Sequence, residues 1–165
     1  MTPMTDISID LETLSTRYDA AILSIGAQEF NRYTGALGRR MYAEVELNSA
    51  IKHGHVDGGT LAWWMGQGEQ AKRLFGGDEY SKPTLPVALD LLTEFYRKSE
   101  ASKVWGNGAT FDITILESAY VACGFKAPWE FWNVRDMRTI VDLAVELGFD
   151  KSSMTFDGTA HNAAD

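Results

Sequence analysis

Two carboxylates stand two residues apart near the amino terminus, Asp10 and Glu12 in the run "SIDLET" (8–13). Ile7, Ile9 and Leu11 alternate with Ser8, Asp10 and Glu12, which is the period of a strand. Both carboxylates then leave the same face. On a half-exposed strand such a pair can simply be solvated. The β-branched neighbours suit a buried strand instead, and there two like charges are costly unless something positive joins them. A divalent cation such as Mg²⁺, which prefers carboxylate oxygens, answers that need.

A second candidate acid lies in "WGNGATFD" (105–112), where Asn107 and Gly108 favour a turn and Asp112 falls just inside the next helix. An acid in a first helical turn also complements the helix dipole, so this position has a purely structural reading as well. Asn107, in the turn itself, is a candidate for substrate contact. The third element is "GTAHNAAD" (158–165), with His161 and, four residues on, Asp165. That spacing shares one face if a helix forms there. A histidine is as easily a surface residue, and a last residue as easily frayed.

Other chemistries lack their residues. There is no Cys/His cluster for structural zinc, no Walker loop or dinucleotide fingerprint, and no G-x-S-x-G elbow. His53 and His55 bracket Gly54 without a carboxylate or cysteine at ligand spacing and read as loop residues.

The elements that must carry these residues follow from pattern. Strands are expected over 7–12, 20–30 and 39–47, joined as an antiparallel meander by short turns such as "YTGALG". Helices are expected near Thr60, over 68–76 and over 84–100, where Leu85, Leu89, Leu92 and Tyr96 form one stripe. A strand over 103–106 and its turn, a helix over 110–124, a strand over 129–134 and a helix over 136–149 complete the order, with Asp136 as a helix cap. The tail from Asp150 is polar and loop-like. This order predicts an α/β fold, a mixed central sheet flanked by helices in three layers.

The chain has 165 residues, room for one ordinary domain spanning 1–165. Its net charge of −8 argues against a basic nucleic-acid glove, unless basic groups cluster or bound cations offset the acids. A single cysteine excludes an internal disulfide and fits a reducing compartment. No apolar run approaches a membrane span and the first residues lack a signal core, so a cytoplasmic setting is expected. Five Trp, six Tyr and eight Phe are many for this length and predict self-association as a homodimer.

Taken together, "DISIDLET" resembles the first motif of the DEDDh 3′-5′ exonucleases, which have an RNase H-like fold. "VWGNGATFD" resembles their second motif, and "AHNAAD" their histidine motif. "DLETL", "AILSIGA", "TLAWW", "PWEF" and "RDMRT" are similar to stretches of a subgroup holding phage exonuclease A and small bacterial 3′-5′ exoribonucleases. The resemblance implies two Mg²⁺ ions, with Mn²⁺ able to substitute, held by Asp10, Glu12, Asp112 and Asp165. It implies His161 as general base, and release of nucleoside 5′-monophosphates from single-stranded DNA or RNA with a free 3′ end. The setting it implies is a bacterial cell or a phage-infected host. The family usually places its last acid one position beyond Asp165. Either the next residue of a longer protein is the fourth ligand, or Asp165 substitutes for it. The same comparison leads to the expectation that a closing carboxy-terminal helix is missing.

Substrate contacts are expected from Thr13 and from Leu14 as a wedge against the terminal nucleotide. They are also expected from Trp64 as a stacking platform, where core packing of both Trp63 and Trp64 is the rival reading. Arg135 is the candidate for a backbone phosphate, with Arg138 nearby and solvated surface charge as the plain alternative. Two other functions stay open: a non-catalytic nucleic-acid or protein-binding module on the same fold, and a nuclease that cuts internally.

Overall fold

A computed structural model of the chain describes residues 4–99 and 101–153. Five strands form one sheet in the order β3-β2-β1-β4-β5. β1 (Asp6–Thr13), β2 (Ile22–Phe30) and β3 (Leu37–Glu44) are the expected antiparallel meander. β4 (Lys103–Gly106) runs parallel to β1, and β5 (Val134–Asp136) runs parallel to β4. The sheet is therefore mixed and flanked by helices, the α/β architecture of RNase H-like proteins.

α1 (Leu47–His53) follows β3 directly and was not expected. The apolar alternation through Val45 and Leu47 reads as more strand, but Glu46 accepts the Asn48 and Ser49 amides and starts a helix instead. α2 (Gly58–Met65) begins where Asp57 accepts the Thr60 amide. α3 (Glu69–Lys72) runs into a 3₁₀ turn over Arg73–Phe75, and α4 (Leu85–Ser99) is the long amphipathic helix. α5 (Ala109–Ala122) leaves β4 after a two-residue turn, and α6 (Met137–Glu146) leaves β5. A strand expected over 129–134 begins instead at Val134, because Trp129 is drawn inward. Its indole N–H donates to Glu117 Oε1 at 2.9 Å and its ring meets Tyr96 and Tyr120 edge-on, so the chain turns through Phe131–Asn133 first.

One face of β1 carries Ile7, Ile9 and Leu11 into the core, with Ile25 and Ala27 of β2 and Val104 of β4. α4 and α5 pack with the sheet and add Leu89, Leu92, Leu116 and Tyr120 to this core. Among the described residues no helix is long and apolar enough to cross a membrane.

Candidate active site

The opposite face of β1 presents Asp6, Ser8, Asp10 and Glu12 in alternation. Its three acids meet different environments. Asp6 is fully buried and answered: the Arg32 guanidinium donates to both oxygens, at 2.6 and 2.8 Å, and the Trp105 indole adds a third bond at 2.8 Å. Asp10 and Glu12, toward the far end of the strand, make no ion pair with Lys or Arg among the described residues. The pairing with β2 shifts between Glu12 and Thr13, where Leu23 of β2 is the extra residue.

α5 brings the third carboxylate. β4 pairs with β1 only as far as Gly106 opposite Ile9, so the Leu11 amide lies past the end of that ladder. Asp112, in the first turn of α5, supplies the missing acceptor: the Leu11 N–H donates to its Oδ1 at 3.3 Å. Asp112 is thus buried at the end of the sheet where β1 carries Asp10 and Glu12. Gly106 makes room for this. A Cβ there would sit 2.9 Å from Ala109 Cα and 3.3 Å from Asp112 Oδ2.

Burial raises all three carboxyls, and at Glu12 and Asp112 neighbouring carboxylate charge adds to it. Burial first, then the Asp10 and Asp112 charges, push the Glu12 carboxyl up to about 7. Burial and the Asp10 charge push Asp112 to about 7 as well, against the opposing help of the Leu11 N–H and the Arg138 charge. Asp10 reaches solvent, yet the protein around it still raises its carboxyl above the ordinary aspartate value. Among the described residues no group of three or more His, Cys, Asp or Glu forms a ready-made metal site. The donor set nonetheless suits a hard divalent cation: oxygen ligands only, with a repulsion that a cation would relieve. His161 and Asp165 lie outside the described residues.

Beside Glu12 opens a cleft of about 480 Å³, walled by Thr13, Thr60, Trp63, Trp64 and Phe111 among others. Thr13 Oγ1 donates to Ser15 O at 2.7 Å, and the Thr13 carbonyl accepts the Trp64 indole N–H at 2.9 Å. Trp64 and Leu14 are each only 1% exposed, so both expected substrate contacts are core side chains. For Trp64, the hydrogen bond from its indole N–H to the Thr13 carbonyl holds the ring inside. Trp63, packed edge-on against Trp64, is 47% exposed and is the tryptophan that meets solvent at the cleft. Its adjacency to Trp64 signalled that one ring would be inside but not which.

Arg135, expected at a phosphate, donates instead to the carbonyls of Trp132 and Val134 at 2.8 and 2.7 Å. Arg138 is the arginine whose charge acts on Asp112, and its guanidinium lies against Gly108. Asn107 and Arg138 line a second, larger cavity of about 990 Å³ with Met137 and Val141. His53 belongs to α1, its Nδ1 2.8 Å from Ser49 O, and His55 Nδ1 lies 2.9 Å from Ser15 Oγ.

Known proteins share this fold. An exodeoxyribonuclease of Enterobacteria phage T4 is 24% identical over 162 residues, covering 84% of this chain and 71% of the phage protein. The fold matches that of E. coli exonuclease I in complex with a dA13 oligonucleotide, with a TM-score of 0.65 at 10% identity over 96% of this chain. It also matches cell-death related nuclease 4 (CRN-4), with a TM-score of 0.63 at 10% identity over 98% of this chain. The chain spans only 33% of that exonuclease I chain and 59% of CRN-4. One family model takes in all three candidate acids and runs over residues 5–165, and by that match the chain belongs to the 3′-5′ exoribonuclease Rv2179c-like domain family.

Proposed function

We propose that the chain is a divalent-metal-dependent 3′-5′ exonuclease, a single domain that releases nucleoside 5′-monophosphates from the free 3′ end of single-stranded DNA or RNA. One observation carries this reading: Asp112 is drawn to the strand end that holds Asp10 and Glu12, where burial and neighbouring carboxylate charge hold the Glu12 and Asp112 carboxyls well above their ordinary values. Buried acids left in that state are a mark of function more than of stability.

In this reading Asp10, Glu12 and Asp112 hold two Mg²⁺ or Mn²⁺ ions, completed by Asp165 or the residue after it. When bound, the ions supply charge neutralisation at the scissile phosphate and a more acidic water. Asp10 would hold the ions from β1. His161 takes the proton of the attacking water. Glu12 and Asp112 act as ligands in their ionised forms. Trp63, rather than Trp64, offers a ring to the terminal base, and Thr13 borders the same cleft. Arg138, rather than Arg135, is the arginine that meets the substrate backbone, with Asn107 beside it.

The T4 relative is an exodeoxyribonuclease and the family is named for an exoribonuclease, so both sugars belong in the test. Linear and circular single-stranded DNA and RNA are incubated with Mg²⁺. Shortening of the linear strands alone supports the reading. Cutting of the circles would show an internal nuclease and overturn it. The rival reading is a non-catalytic nucleic-acid or protein-binding module on the same fold. It predicts retention of the strands without hydrolysis. Self-association through exposed aromatics such as Phe131 and Trp132 is part of the proposal, and sedimentation as monomer only would remove it.

A further inference from the structure

α5 positions Asp112, yet the residue before the helix gives it no side-chain cap. A helix start leaves backbone amides without intrahelical acceptors. The residue before α5 is Gly108, at φ 106°, which has no side chain to accept them. The acceptor comes from another strand. Asp136 Oδ1 accepts the amides of Gly108 at 3.0 Å and Ala109 at 2.9 Å. Its second oxygen, Oδ2, accepts the Thr139 amide at 3.1 Å and the Thr139 hydroxyl at 2.6 Å. One carboxylate therefore starts two helices, α5 and α6.

The topology explains how. β4 and β5 are parallel with Gly106 opposite Asp136, so the last residue of β5 stands level with the turn that launches α5. The turn is closely packed around this contact. A Cβ on Gly108 would lie 3.4 Å from Arg138 Cζ, and one on Gly106 would lie 2.9 Å from Ala109 Cα. A cap from within the turn would fix the helix start only locally. A cap from β5 fixes it to the sheet, and the sheet also carries Asp10 and Glu12.

We propose that Asp136 is a positioning residue for the active site: by holding the amides of Gly108 and Ala109 it sets where α5 begins, and so where Asp112 stands relative to β1. Its consequence for catalysis rests on the exonuclease reading; its structural cause does not. Asp136 touches neither substrate nor metal in this account and acts on the acid cluster through Asp112.

Two substitutions separate its two jobs. Asp136→Ser keeps a hydroxyl that can cap α6 but is too short to reach back to Gly108. Asp136→Asn keeps a carbonyl oxygen for the Gly108 and Ala109 amides. The first readout is amide hydrogen exchange in the metal-free protein, followed residue by residue by NMR. In Asp136→Ser the Leu11 amide, which depends on Asp112, should exchange roughly tenfold faster while amides within β2 stay within about twofold of wild type. Asp136→Asn should resemble wild type. Unchanged Leu11 protection in Asp136→Ser, or equal acceleration throughout β2, would overturn the proposal. The second readout is the Mn²⁺ concentration giving half-maximal hydrolysis. Asp136→Ser should raise it about tenfold with KM for the oligonucleotide nearly constant, and Asp136→Asn should restore it. An unchanged Mn²⁺ midpoint alongside faster Leu11 exchange would refute the link to catalysis. A wild type with no hydrolysis at all would sink the exonuclease reading, while the exchange result would still decide the structural claim.

Discussion

The carboxylate of Asp112 accepts the backbone N–H of Leu11 across 101 residues of chain, at 3.3 Å. The contact does two things. It supplies an acceptor where the β1–β4 ladder stops, and it fixes a buried acid at the strand that carries Asp10 and Glu12. The two roles separate by substitution. Asp112→Asn keeps an oxygen for Leu11 and should melt near the wild-type temperature while losing hydrolysis by orders of magnitude. Asp112→Ala strands the amide and should lower stability by about 1–3 kcal/mol. Equal activity of Asp112→Asn and wild type would remove Asp112 from the chemistry.

A pH dependence follows from the raised carboxyls. Glu12 and Asp112 titrate at about 7 in the fold, against ordinary values of 4.5 and 3.8. The folded state therefore holds protons that the unfolded state releases. The contribution of these groups is complete below about pH 4 and fades as pH rises through about 7. Asp136 behaves oppositely, held down to about 2 first by the Thr139 hydroxyl and then by backbone amides. Its contribution is already complete well below neutrality and does not vary over the upper window. Metal-free protein should thus melt several degrees higher at about pH 5 than at about pH 8, and the Glu12→Gln, Asp112→Asn double variant should flatten the difference. A flat wild-type profile in chelator would contradict the burial of these acids.

Divalent cations should invert the effect of removing a charge. In chelator, Asp10→Asn relieves repulsion and should melt at or slightly above wild type. With excess Mg²⁺ the wild type gains the free energy of a ligand that binds only the folded state, and the variant gains less. Melting curves in both conditions check the crossing. Near-identical curves for the two proteins in both conditions would mean that Asp10 and Glu12 are a solvated pair.

The two adjacent tryptophans should part company. Trp64 is buried with its indole bonded to Thr13, so Trp64→Ala should cost about 3–5 kcal/mol of stability. Trp63→Ala should cost less stability than Trp64→Ala and weaken oligonucleotide binding, by about 1–3 kcal/mol if the ring stacks on a base. Titration of a labelled oligonucleotide in chelator reads this directly. Binding equal to wild type would exclude Trp63 as the platform.

Much of this was legible in the sequence because the decisive features are local. Alternation from Ile7 to Glu12 places Asp10 and Glu12 on one face, and the Asn107–Gly108 turn before Asp112 marks a helix start at a strand end. What escaped is what depends on long-range packing. Leu14 follows the acids and looks available, but its side chain is buried in the core. Arg135 and Arg138 are equivalent in the sequence; only the 3₁₀ turn at Phe131–Asn133, whose neighbouring carbonyls engage Arg135, separates them. Asp136 reads as an ordinary cap of α6, because its second partner, Gly108, lies 28 residues earlier. α1 was hidden because Val45 and Leu47 continue the strand pattern that Glu46 ends.

The central claim is that Asp10, Glu12 and Asp112 form the working part of a 3′-end hydrolase. The most direct measurement takes the natural polypeptide that carries residues 1–165, with Mg²⁺ and a linear oligonucleotide bearing a free 3′ hydroxyl. The products of wild type and Asp10→Asn are identified by mass spectrometry. The account predicts nucleoside 5′-monophosphates appearing one at a time from the 3′ end with wild type, and none above background with Asp10→Asn. Equal release by the two proteins, or 3′-monophosphate products from wild type, would contradict it.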